Sequence, residues 1–171
     1  GGSQSNLMAL LLARDHAAER LSGHLIRDFG LSPDAHRYRI FCSEVSHFSI
    51  QKSAALLGLG YNAVVPVAVD KEFKMDLTAL DTAINECKAQ GNIPIALVAT
   101  AGTTDFGSID PIDKLKARCK ADNLWLHVDA AYGCGLLAAD DHRHLLNGIE
   151  HADSVTLDYH KSFLQPVSSS A

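Results

Sequence analysis

A chain of 171 residues that is 47% hydrophobic and 20% charged is long and apolar enough for one globular domain with a proper core. A formal net charge of −5 without any basic run removes the electrostatic case for nucleic acid or an anionic membrane as a partner. No uninterrupted apolar stretch reaches the ~20 residues of a spanning helix, and no charged-then-apolar leader opens the chain, so membrane association is not expected.

Gly1-Gly2-Ser3 opens the chain as a flexible turn with Ser3 as a hydroxyl N-cap. From Asn6 to Phe29 apolar residues recur at Leu7, Leu10, Leu11, Ala17, Leu21 and Leu25, the period of a helix with one buried stripe, closed by Gly30. Arg37 to Ser43 is a short β-type run, and Ser46 to Gly58 returns to helical spacing through Ile50, Ala54 and Leu57. Ala63 to Asp70 reads as a strand that Pro66 confines to an edge or a bulge. Asp76 caps a helix with the stripe Leu77, Leu80, Ile84 and Cys87, ended by Gly91.

Pro94 to Thr100 is continuously apolar, as expected of a strand buried on both faces. Asp110 and Pro111 read as an N-cap and a first helical residue, with Asp113 near the positive helix end and Ile112, Leu115 and Cys119 as the stripe. Leu124 starts a strand that ends in Asp129, and Ser154 starts another that runs into His160 and Lys161. A short polar helical piece from Asp140 to Gly148 lies between them. This alternation predicts an α/β domain over 1–171: a mainly parallel sheet with helices on both faces.

Cys42, Cys87, Cys119 and Cys134 lack C-x-x-C or zinc-like spacing. They read as reduced thiols of a cytoplasmic protein, mostly packing in the core, with no metal site. The chain starts without Met and stops in Ser168-Ser169-Ser170-Ala171 just after a strand-like segment, so part of a larger protein is expected.

Ligands of an open α/β sheet sit beyond the carboxyl ends of its strands. Nearly all polar interruptions of the apolar pattern fall there: Ser43 to His47, Thr100 to Thr104, Asp129 to Gly133 and Asp158 to Lys161. Gly2 and Ser3 at a helix start form either a phosphate seat or a plain capped turn. His47 is either a polar loop residue or a ring that stacks on a heteroaromatic. Asp129 ends an apolar strand and needs a cationic partner, because an unpaired buried carboxylate costs several kcal/mol.

That partner is either Lys161 in a plain salt bridge or the protonated ring nitrogen of a cofactor. About 4 kcal/mol at ~4 Å and an effective dielectric of ~20 is roughly three pK units before desolvation, enough to keep a pyridine protonated at neutral pH. Lys161 is by default a surface lysine; held in a largely apolar site, its amine could form a Schiff base. Tyr132, His127, His142 and His144 read as structural or solvated.

Five segments carry a resemblance across nearly the whole chain: Ser43-Glu-Val-Ser-His47, Ala99-Thr-Ala-Gly-Thr-Thr104, Trp125-Leu-His-Val-Asp-Ala-Ala-Tyr132, His144-Leu-Leu-Asn-Gly148 and His160-Lys161. Together they resemble the pyridoxal-phosphate-dependent amino-acid decarboxylases, the group with aromatic-amino-acid, glutamate and diaminobutyrate decarboxylases. The resemblance implies the large domain of fold type I, with Lys161 bound to pyridoxal phosphate and Asp129 on its ring nitrogen. It further implies His47 and Ala131 on the two ring faces, Thr104 near the ring substituents, and Gly2, Ser3 and His160 around the phosphate. The implied protein is a homodimer acting on a small amino acid.

Two departures from the family pattern matter. Aromatic-amino-acid and glutamate decarboxylases carry Asn-Pro before His-Lys, whereas this chain has Asp158-Tyr159; an acid there would repel a phosphate unless turned away or protonated. The run from Asp158 to Ser168 looks most like the bacterial diaminobutyrate decarboxylase branch, so L-2,4-diaminobutyrate is the expected substrate and 1,3-diaminopropane the product. The family's N-terminal segments, small C-terminal domain and tyrosine-bearing mobile loop are not among these residues, so groups for the substrate carboxylate and the returning proton are expected elsewhere. The competing readings are a decarboxylase for another amino acid, a fold-type-I aminotransferase or lyase, and a structural domain with Asp129 and Lys161 as a salt bridge.

Overall fold

The computed structural model describes residues 1–171 as a five-stranded, wholly parallel sheet. The strands are β1 (Tyr38–Ser43), β2 (Val64–Val67), β3 (Ile93–Thr100), β4 (Trp125–Ala130) and β5 (Ser154–Leu157), in the order β2-β1-β3-β4-β5. Helices α1 (Gly2–Ser22), α2 (Ile26–Phe29), α3 (Ser49–Leu56), α4 (Leu77–Ala89), α5 (Ile112–Asp122) and α6 (Tyr159–Ser162) complete the main elements. The expected α/β architecture is present, and β2, with Pro66 in it, is an edge strand as that proline requires. The chain steps outward from β1 to β2 and then back past β1 to β3. That reversal opens a crevice at the carboxyl ends of β1 and β3.

Strand alternation sorts the core into two layers. Phe41, Leu97, Leu126 and Val128 meet Leu80, Ile84, Leu115 and Cys119 of α4 and α5. Ile40, Cys42, Ala96 and Val98 meet Leu10, Ala13, Ala17, Ile50 and Ala54 of α1 and α3. In the first layer the strand and helix side chains that meet are apolar. In the second, β4 presents His127 and Asp129 on the face opposite Leu126 and Val128, and both are buried. The α1 layer therefore carries a polar stripe that the α4–α5 layer lacks.

Three expectations fail for physical reasons. The long helix breaks at Gly23, which takes a left-handed φ of 68°, and only the four-residue α2 resumes before Gly30. Its sheet-facing stripe is Asn6, Ala9, Leu10, Ala13 and Ala17: of the expected residues Leu10 and Ala17 are buried, Leu7 and Leu11 pack at the edge, and Leu21 is exposed; small side chains let the helix sit close to the sheet. Ser3 is no cap either, because α1 already begins at Gly2 with Gly1 as its N-cap and no side-chain cap bond.

Asp110 is not a helix cap. It is 2% exposed and accepts the N–H groups of Met75 and Thr100, both at 2.7 Å, tying the end of β3 to the segment before α4. Burial pushes its carboxyl up to about 6 against the pull of those two N–H groups. The piece from Asp140 to Gly148 contains a single 3-10 turn, Arg143–Leu146. All four cysteines are buried free thiols, and burial pushes Cys42 and Cys119 up to about 12, so they are packing groups. No helix is long and apolar enough to cross a membrane.

Candidate active site

The N-terminus of α1 closes one side of a cavity of about 260 Å³ at the carboxyl ends of β1, β3, β4 and β5. Gly1, Gly2 and Ser3 line it, bringing a helix start whose first N–H groups have no acceptor within the helix. Gly2 is there for a steric reason: a Cβ on it would lie 3.0 Å from Asp158 Oδ2 and 3.2 Å from Ala131 Cβ. The bare backbone lets the helix end come down onto the ends of β4 and β5.

The loops after β1 and β3 build the adjacent wall. The Ser46 and Thr100 hydroxyls, 3.1 Å apart, couple the two loops across the crevice. His47, part-buried, lines the cavity, with the Ser49 hydroxyl 2.8 Å from its Nδ1 and the Phe48 ring centroid 4.2 Å from its own. Thr104 lines the cavity from an exposed position, while Thr103 turns inward and shares a 2.8 Å hydrogen bond with Ser108. Gly102 (φ 93°) and Gly133 make the turns that bring these loops to β4. The Gly133 N–H donates to Ala101 O at 2.9 Å, and a Cβ on Gly133 would sit 2.3 Å from that oxygen.

Asp129 sits at the carboxyl end of β4 with 6% exposure. Its Oδ2 accepts from Asn6 Nδ2 at 2.7 Å and its Oδ1 from the Ala131 N–H at 3.1 Å. Both donors are neutral, and no lysine, arginine or histidine forms an ion pair with it. The expected alternative of a bridge from Asp129 to Lys161 is thus absent. Lys161 Nζ lies 3.1 Å from Asp158 Oδ2, and its side chain is 43% exposed. Lys161 is thus exposed, as the default reading had it, and sits beside an acid and not in the apolar setting of the alternative.

Asp158 is nearly enclosed. Burial pushes its carboxyl up, but the Ser170 hydroxyl and Lys161 pull harder and leave it below the ordinary range. His160 Nε2 lies 3.6 Å from the same Oδ2, and its Nδ1 lies 3.0 Å from Ser169 O. The acid is therefore held by three neighbours on the chain's own last segment. Ala131, 8% exposed, supplies an apolar floor, and the exposed Tyr132 a rim.

Every residue that the sequence singled out for this site lines the one cavity: Gly2, Ser3, His47, Thr104, Asp129, Ala131, His160 and Lys161. Sequence reasoning missed Asn6, which also lines it and is 1% exposed. The available signal was an amide in the middle of a helix stripe, four residues after Gly2. His127, read as structural or solvated, is structural: it is fully buried, and burial lowers its imidazolium to about 4 against the pull of Asp129.

The chain matches the model of the pyridoxal-dependent decarboxylase conserved domain over residues 1–171. It is 39% identical to an L-2,4-diaminobutyrate decarboxylase of Acinetobacter baumannii, over 100% of this chain and 35% of that protein. A Rhizobium meliloti L-2,4-diaminobutyrate decarboxylase is 44% identical over 98% of this chain and 31% of its own. Among solved structures, the glutamate decarboxylase domain of a Vibrio parahaemolyticus diaminobutyrate-pyruvate transaminase and L-2,4-diaminobutyrate decarboxylase superposes with a TM-score of 0.97. The two are 47% identical over 99% of this chain and 37% of that one. The chain thus spans about a third of the length of these relatives. Sequence and fold together place it in the pyridoxal-dependent decarboxylase family.

Proposed function

We propose that the intact protein is a pyridoxal-phosphate-dependent carboxy-lyase that converts an L-amino acid, L-2,4-diaminobutyrate, to carbon dioxide and 1,3-diaminopropane. Residues 1–171 are most of its large cofactor-binding domain. The observation that carries the reading is Asp129, a buried carboxylate with two neutral donors and no cation, on the wall of a cavity that Lys161 also lines. A buried anion without a counter-charge is costly, so this site is completed by a ligand that brings a cation with it. A protonated pyridine ring with a phosphate arm fits the donor set, because Gly2 and Ser3 at a helix start line the other wall.

Bound there, pyridoxal phosphate supplies a cationic ring that takes up the electron pair left at the α-carbon when the carboxylate leaves as carbon dioxide. Asp129 would hold the proton on the ring nitrogen. His47 and Ala131 would pack on the ring faces, and Thr104 would bond to a ring substituent. Gly2 and Ser3 would seat the phosphate with His160 beside them; Asp158 lines the same cavity, with its Oδ1 held by the Ser170 hydroxyl. Lys161 would hold the aldehyde end of the group through its amine. The substrate choice rests on the two diaminobutyrate decarboxylases among the relatives and on the run from Asp158 to Ser168. Four buried thiols support a reducing, cytoplasmic setting. Exposed Tyr132 and Leu145 beside the cavity support a homodimer that covers this rim.

Two measurements on the intact protein test the proposal. Borohydride reduction should leave a phosphopyridoxyl group on Lys161, and its absence there would remove the cofactor assignment. Amine release should be assayed with diaminobutyrate, ornithine, lysine, glutamate and aromatic amino acids. Efficient turnover of another substrate with none of diaminobutyrate would overturn the substrate, and keto acid without carbon dioxide would overturn decarboxylation.

A further inference from the structure

Asn6 is a single amide that joins the acid of the cavity to its histidine. One Nδ2 hydrogen goes to Asp129 Oδ2 at 2.7 Å and the other to Ser49 Oγ at 3.0 Å. Its Oδ1 lies 2.9 Å from His127 Nε2. A carboxylate only accepts, so the amide nitrogen must face Asp129 and the amide oxygen must face His127. His127 Nε2 must then carry the ring's hydrogen.

The far side of His127 agrees with that assignment. Trp125 Nε1–H donates to Ser154 Oγ at 2.9 Å, which leaves the Ser154 hydroxyl hydrogen for His127 Nδ1, also at 2.9 Å. The Ser154 carbonyl, 3.2 Å from Nδ1, favours the opposite tautomer. That tautomer would set two acceptors, Nε2 and Asn6 Oδ1, against each other in a dry core. Burial keeps the imidazole neutral, so it has one hydrogen to give.

The second branch is equally directed. Ser49 Oγ accepts from Asn6, and its own hydrogen points to His47 Nδ1 at 2.8 Å. The Ser49 backbone N–H also aims at Nδ1, at 3.3 Å. Two donors on one nitrogen make it an acceptor, and the hydrogen of a neutral His47 ring sits on Nε2.

We infer that Asn6, oriented by His127, is a positioning residue that fixes Asp129 as an acceptor for the cofactor ring and, through Ser49, fixes the tautomer of His47. This rests on the reading that pyridoxal phosphate occupies the cavity. A merely structural Asn6 would contribute packing and stability, and its loss would leave the bound ring as it was. A positioning Asn6 sets how the acid meets the ring, so its loss reaches the ring itself.

The test uses the intact enzyme and the variants Asn6→Leu, His127→Leu and His127→Gln. The Gln amide nitrogen can take the place of Nε2 and still donate to Asn6. Pyridoxal phosphate affinity of the cofactor-depleted protein and the visible absorption and circular dichroism of the bound form are measured beside thermal unfolding. Asn6→Leu and His127→Leu should each weaken cofactor affinity by about tenfold to a hundredfold and alter the visible bands, the loss expected for a hydrogen bond to a charged group. His127→Gln should recover most of both.

Wild-type affinity and bands in Asn6→Leu, whatever its melting temperature, would overturn the inference. So would His127→Gln being as impaired as His127→Leu, and that pair decides if Asn6→Leu does not fold. Wild-type protein that takes up no pyridoxal phosphate would instead overturn the functional reading beneath it.

Discussion

Asp110 and Asp129 are both buried carboxylates at the carboxyl edge of the sheet, 2% and 6% exposed, and neither has a cationic partner. Asp110 spends each oxygen on a backbone N–H that would otherwise lack an acceptor, and no lining of the central cavity includes it. Asp129 has one backbone N–H and one amide, and it borders the cavity. Burial and missing charge are thus common to a structural lock and a ligand site. What separates them is where the remaining acceptor capacity points. The first completes the chain's own backbone, and the second borders the cavity, where the proposed cofactor would bring it a cation.

The largest effect should come from Asp129→Asn in the intact enzyme. Turnover should fall by about a hundredfold or more, the scale of removing one preorganised electrostatic partner. The cofactor-depleted variant should unfold no earlier than wild type, since a buried charge without a cation has been removed. Turnover near wild type would erase the distinction between the two acids.

Asp110→Ala should do the reverse. Two buried N–H donors lose their acceptor, so stability should drop by about 3 kcal/mol or more in denaturant unfolding. The folded fraction should keep its cofactor affinity. A variant that is stable but cofactor-deficient would show that the lock belongs to the site.

Acidity separates the two sheet layers as well. Asp110, pushed up to about 6, holds its proton more tightly folded than unfolded, so its contribution to stability falls as pH rises from the ordinary carboxyl range to that value. His127, lowered to about 4, holds its proton less tightly folded, so its contribution rises between that value and the ordinary imidazole range. Each is worth roughly 3 kcal/mol, and over about pH 4 to 6 they oppose. Replacing His127 with Gln should leave the Asp110 slope exposed, so that stability relative to wild type declines by a few kcal/mol over that interval. Parallel pH curves for variant and wild type would contradict this.

Asp76 sets the scale of an ordinary acid outside both roles. It caps α4 by accepting the Ala79 N–H at 2.8 Å, and Asp76→Ala should cost about 1 kcal/mol with no change in cofactor affinity. A larger loss would mean that α4 leans on this cap more than on its packing.

The sheet was legible because its strands are apolar and its breakers are local. Pro66 marked an edge from one side chain, and Pro94 to Thr100 marked a central strand from composition alone. The cavity residues were legible because strand ends collect polar groups wherever a parallel sheet is covered. Asp110 was misread because Asp-Pro before an apolar stripe has the local form of a helix start, while its true partners, Met75 and Thr100, come from distant strand and loop segments. Asn6 stayed hidden because the neighbours that give it meaning lie 43, 121 and 123 residues away. The ion pair of Lys161 with Asp158 was equally hidden, although the two are three residues apart: nothing local says which way the acid turns.

The alanine face of α1 has a mechanical corollary. One rigid rod carries the cavity-lining start of the helix, the glycine that rests on Ala131 and Asp158, and the Asn6 amide. Its angle is set farther along, where Ala9, Ala13 and Ala17 touch the sheet. Ala13 lies about 16 Å down the axis from Gly2, so an extra methyl group there would act as a fulcrum. All three contacts would swing together, and the cavity could lose its shape through a residue that touches none of it.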